Sequence, residues 1–123
     1  MPFAEICPEN CPPADAVAVA GDVIRFVRSD PPTGADFRTY ADDGKTGNDP
    51  CMACALSVLR RLQDVPIARQ AIPWFKKRLV AKATLDATYG VVKQSGPHKF
   101  HFSFWVEAAH IATIQQQFVV VAA

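Results

Sequence analysis

Seven side chains have the types and spacing to do chemistry. Four are cysteines in two close pairs: Cys7 and Cys11 are four apart, and Cys51 and Cys54 are three apart. A short gap lets two thiolates reach one tetrahedral ion, so one structural zinc site could use Cys7, Cys11, Cys51 and Cys54 together. Cys51 also opens an expected helix, where a thiolate is electrostatically favoured and could be reactive. The alternative is that these cysteines act as small apolar residues, since Cys54 points to the apolar face of that helix. A disulfide is the weaker reading for a chain expected to be cytoplasmic.

The other three are His101, Ser103 and Glu107. "FHFSFWVE" alternates with period two, placing these residues and Trp105 on one side of a strand and Phe100, Phe102, Phe104 and Val106 on the other. An imidazole, a hydroxyl and a carboxylate on one face could handle a proton or bind a ligand. The same face could equally be the solvent side of an antiparallel sheet, although a ring as large as Trp105 calls for a partner there. His98 and His101 fall on opposite faces of a strand, which argues against a shared metal. The chain has no Ser-His-Asp order and no phosphate-cradling Gly-rich loop.

These residues need elements to position them. "DAVAVAGDVIRFVRS" reads as extended, with Val23, Arg25 and Val27 opposite Ile24, Phe26 and Arg28. Residues 29–49, dense in Pro, Gly, Asp and Asn, read as a long loop with a turn of helix around Asp36–Tyr40, and long loops within a domain are often functional. Asp49 as N-cap and Pro50 at the first helical position open a helix whose apolar stripe is Leu56, Leu59 and Leu62. A short second helix covers Ile67–Ala71. From Arg78 the period becomes two: "RLVAKATL", "YGVVKQ" and "FHFSFWVE" read as strands. "AAHIATIQQ" is a short helix or an irregular excursion, and "QFVVV" is an interior strand. The expectation is an α+β fold: one domain over 1–123, irregular over 1–14, with a mostly antiparallel sheet against one principal helix.

A chain of 123 residues, half of them hydrophobic and a fifth charged, has ordinary globular composition. No apolar run reaches the roughly 20 residues of a membrane helix, and the start lacks the basic and apolar regions of a signal peptide. These features predict a cytoplasmic chain, although a secreted effector delivered by a dedicated machine would look the same. The net charge of +1 hides an asymmetry: residues 1–50 carry nine acidic and four basic side chains, and residues 51–123 carry three acidic and nine basic. Either the basic half meets phosphates, or the halves face and neutralise each other. Arg60, Arg61, Lys76, Lys77 and Arg78 could contact RNA, but no nucleic-acid motif accompanies them.

Taken in order, "VIRFVRSDPP", "CMACALSVLRRL", "RLVAKATL" and "HKFHFSFWV" resemble a group of small bacterial proteins of unassigned role. More remotely, the blocks are similar to small ADP-ribosyltransferase-like toxins delivered by type VI secretion. The resemblance spans Val23 to Val106 in short patches. It departs from the pattern at Ile24, where an aromatic precedes the arginine, and at Leu59, where a phenylalanine stands. It implies NAD as the ADP-ribosyl donor, transferred to a target or hydrolysed. Arg25 would lie near the pyrophosphate or ribose, Ser57 beside the nicotinamide cleft, and His101 or Ser103 on the facing strand. Tyr40 and Trp105 would complete the cleft, and Glu107 is the candidate downstream carboxylate. The partner implied is a protein, either a target or an immunity-type protein. Two other readings stay open: a non-enzymatic protein-binding module, zinc-stabilised through its cysteines, and an RNA-contacting protein.

Overall fold

The computed structural model describes Phe3 and residues 7–123. Among these residues, seven strands form two antiparallel sheets. Strand β1 (Val17–Ala18), β3 (Leu56–Val58), β5 (Gly90–Gln94) and β6 (Phe102–Val106) make one sheet in the order β1-β5-β6-β3. Strand β2 (Gly21–Val27), β4 (Leu79–Leu85) and β7 (Val119–Val121) make the other, in the order β2-β4-β7. The fold is α+β with mostly antiparallel strands, but among the described residues no principal helix covers the sheet. Helix α1 (Pro50–Ala53) is a single turn, α2 (Val65–Ala71) is two turns, and the longest helical stretch is the 3-10 segment Ala108–Gln117.

The helix expected from Pro50 therefore stops early. Its start is as read: the Asp49 carboxylate accepts from the Met52 N–H at 3.1 Å, and Pro50 opens the turn. Beyond Cys54 the chain extends instead, because Leu56, Ser57 and Val58 pair with Phe104, Ser103 and Phe102 of β6. Leu56 and Val58 are buried and Ser57 is exposed, which is the alternation of a strand. The first extended segment divides at Gly21, whose φ of 97° turns the chain from one sheet to the other. Strand β7, expected in the interior, is an edge strand with Val119 largely exposed.

Among the described residues the two sheets are bridged backbone to backbone at one point. Ile24 and Leu59 exchange backbone hydrogen bonds of 2.8 and 2.7 Å. To one side, Arg60 donates to the carbonyls of Asp22 (2.8 Å) and Ala20 (2.6 Å); to the other, Arg25 Nη1 donates to the Ser57 carbonyl at 2.8 Å. Two guanidinium groups thus satisfy carbonyls that a continuous ladder would have used. The main core, with Val23, Val27, Val58, Ala81, Phe104 and Ile114, lies on this frame, and a second cluster of Ile24, Leu59, Val65, Phe75, Val80 and Phe100 packs under α2.

The remaining face of β6 is not a solvated groove. Trp105 is 1 % exposed and Ser103 is buried, both in contact with the segment that carries the cysteines. Two disulfides, Cys7–Cys54 and Cys11–Cys51, tie the stretch that bears Cys7 and Cys11 to α1 and to the cysteine that follows it. Trp105 Nε1 donates to the Cys51 carbonyl at 2.9 Å, which gives the buried indole the partner it needs.

Candidate functional site

A cleft of about 180 Å³ opens where β2 and β3 part. Its floor is built from Arg25 of β2, Ser57 of β3 and His101, which immediately precedes β6. The long loop contributes Arg38 and Tyr40, and the 3-10 segment Pro73–Lys77 contributes Trp74. Tyr40 and Trp74 are 64 % and 54 % exposed, so two aromatic rings stand at the rim with uncovered surface.

Arg25 is fixed before any ligand arrives. Besides the Ser57 carbonyl, its Nε donates to the Asp36 carbonyl at 2.8 Å, and the guanidinium lies 5.4 Å from the centre of the Phe37 ring. Burial pushes its pKa down to about 10, against the opposing pull of Asp36 and Tyr40, so it stays charged at neutral pH. The buried Asp36 carboxylate organises the loop around it, accepting from the backbone N–H of Arg28 (2.8 Å) and of Thr33 (3.0 Å). Arg38, in contrast, is engaged by Asp43 at 2.7 Å.

His101 holds the centre. Its Nε2 lies 2.9 Å from Ser57 Oγ, and its Nδ1 lies 3.0 Å from Ser95 Oγ and 3.2 Å from the Ser95 carbonyl. Burial lowers its pKa, the Ser95 carbonyl partly offsets this, and neighbouring His98 adds to the lowering. The imidazole is therefore neutral at physiological pH.

Of the residues singled out in the sequence, Arg25, Tyr40, Ser57 and His101 share this cleft. Trp105 does not: it lines a separate apolar pocket of about 40 Å³ with Cys54 and Ile111. Ser103 is the cross-strand partner of Ser57 but does not line the cleft; its hydroxyl reaches His101 through Ser95, at 2.8 Å between hydroxyls. Glu107 follows the far end of β6, six residues or about 20 Å along the strand from His101. Ser95, in the loop after β5, and Trp74, in a 3-10 segment, carry no periodicity that marks them, and Phe100, expected on the apolar face of the strand, lies in the turn before β6 and lines the cleft.

The zinc expectation is overturned. Cys7, Cys11, Cys51 and Cys54 are consumed in disulfides, and among the described residues no group of three or more His, Cys, Asp or Glu could hold a metal ion. NAD as a resident cofactor is likewise without support. Disulfides of this kind belong to oxidising compartments, which weighs against the cytoplasmic expectation. No helix among the described residues is long and apolar enough to cross a membrane. The two halves of the chain do pair across their charge asymmetry, through Lys93–Asp15 at 2.9 Å and Lys82–Asp22 at 3.6 Å. Compared with family models, curated proteins and solved structures, the chain matches none.

Proposed function

We propose that the cleft takes a nucleotide-type substrate and catalyses ADP-ribosyl transfer or hydrolysis, as in a small secreted toxin or effector. A dinucleotide here would be consumed, not retained. One observation carries the reading: Arg25, Tyr40, Ser57 and His101, contributed by β2, the long loop, β3 and the residue before β6, line one cleft. A guanidinium already oriented by two carbonyls is suited to a pyrophosphate, and the rims of Tyr40 and Trp74 offer stacking surface to flat rings.

In that reaction the N-glycosidic bond breaks and the base departs. The oxygen of water or an acceptor bonds to the anomeric carbon, and neutral His101 takes its proton. The two disulfides fit a protein that works in an oxidising compartment. Incubation of the oxidised protein with NAD as substrate should release nicotinamide, and Arg25→Ala should lower kcat/KM by about 100-fold, the scale of a lost charge-assisted pair. Absence of release by the wild-type protein, or an unaffected rate in Arg25→Ala, would remove the reading.

A protein-binding role has its own support. Ile67, Trp74 and Leu79 are exposed apolar side chains on the segment that also carries Lys76, Lys77 and Arg78. An acidic protein partner fits that chemistry, and its binding should weaken as salt rises.

A further inference from the structure

One set of proton positions satisfies every hydrogen bond around His101 at once. Ser103 Oγ lies 3.5 Å from the thioether sulfur of Met52, which has no proton to give, so Ser103 donates. Ser95 Oγ, 2.8 Å from Ser103 Oγ, must then donate to it. That leaves a lone pair of Ser95 Oγ toward His101, 3.0 Å away, so Nδ1 carries the imidazole proton. The Ser95 backbone carbonyl, 3.2 Å from the same Nδ1, can only accept and demands the same tautomer. Both routes place the free lone pair on Nε2, which faces Ser57 Oγ at 2.9 Å. The Ser57 hydroxyl therefore donates to a base that is itself oriented by a third group, the arrangement that activates a nucleophile.

The surroundings favour attack. Ser57 is exposed at the cleft floor, while the Arg25 guanidinium, bonded to the carbonyl of the same residue, supplies positive charge beside it. Phe100 and Trp74 give the cleft an apolar wall for the body of a substrate.

We propose that Ser57 is an activated nucleophile with His101 as its general base, and that the cleft carries an acyl-transfer activity toward small esters. This does not depend on any glycosyl transfer. Ser57 Oγ bonds to the ester carbonyl carbon as its proton passes to His101 Nε2, and the charge on the carbonyl oxygen develops near Arg25. The tetrahedral species collapses, the carbon–oxygen bond to the leaving alcohol breaks, and His101 returns the proton to that alcohol. Water, giving a proton to His101, then bonds to the acyl carbon; the bond from that carbon to Ser57 Oγ breaks, the acid leaves, and His101 returns the proton to Ser57 Oγ.

The test treats the oxidised full chain with a fluorophosphonate probe and maps the adduct by peptide mass, a readout on the wild-type protein that requires no variant to fold. A single adduct on Ser57 is expected. In His101→Gln, checked for folding by near-ultraviolet dichroism, labelling should slow by about 100-fold or more. p-Nitrophenyl acetate turnover should be lost in Ser57→Ala. No adduct, an adduct at another residue, or a labelling rate indifferent to His101→Gln would overturn the proposal. Nicotinamide release, measured separately, bears only on the glycosyl reading.

Discussion

His101 makes the site sensitive to acid in a way that folding itself should report. In the unfolded chain its imidazole titrates near 6.5, and in the folded protein burial moves the pKa lower, with His98 adding to the shift and the Ser95 carbonyl opposing it. The unfolded chain therefore takes up the proton first as pH falls. The stability linked to His101 is complete above about pH 6.5 and declines as pH drops through 6.5 toward the folded value. His101→Gln should flatten that decline, which urea midpoints at pH 7.5 and pH 5 would measure for both proteins. An equal acid sensitivity in the variant would mean that other groups dominate. Arg25 should show no such signature, since at about 10 its pKa leaves it charged throughout this range.

Among the elements, alternation was legible wherever it was long. The seven residues of β4 and the five of β6 fall within the segments where period two predicts strands. The three residues of β3 do not declare themselves, because Leu56, Ser57 and Val58 satisfy a helical stripe and a strand equally well. Pairing with β6, nearly fifty residues away, decided between them, and no local pattern reports such a contact. The same ambiguity kept the Ser57–His101 contact out of the residue pattern, and only the family resemblance put the two on one cleft: within a helix that runs on through Leu62, Ser57 would not pair with the strand after His101, whereas on β3 it lies beside the imidazole. Gly90, in contrast, is held by its own backbone conformation and by the strand beside it. Its φ is 146°, and a Cβ there would collide with the backbone carbonyl oxygen of Trp105 across the β5–β6 pair. Gly90→Ala should cost about 3 kcal/mol, the range of strained backbone positions with a steric clash. Denaturant unfolding would check it, and a cost under about 1 kcal/mol would show that the strands can separate slightly without loss.

At the scale of the molecule, the cysteines matter through closure of the chain. Four cysteines admit three pairings, and spacing alone does not choose among them. The observed pairs join residues 40 and 47 apart, one nested inside the other. A loop of 40 residues corresponds to about 4 kcal/mol of lost unfolded-state entropy, and the second bond adds less because the loop is already closed. Against the 5–15 kcal/mol typical of a domain, this is a large share. Reduction with dithiothreitol should lower Tm by more than about 10 °C. It should also shift Trp105 fluorescence to the red as the cover over its indole loosens. An unchanged Tm would mean that the hydrophobic clusters hold the fold unaided.

The nested crosslinks also govern how the protein responds to being pulled. With both bonds intact, tension applied at the two ends passes from one short segment to the other through sulfur, and residues 12–50 stay slack within a ring that cannot lengthen. The strand bearing Arg25 lies inside this ring, whereas β3 and His101 lie outside it. Stretching the oxidised chain would therefore strip Ser57 and His101 from a partner strand that bears no load itself, so the cleft would be pulled apart from one wall only.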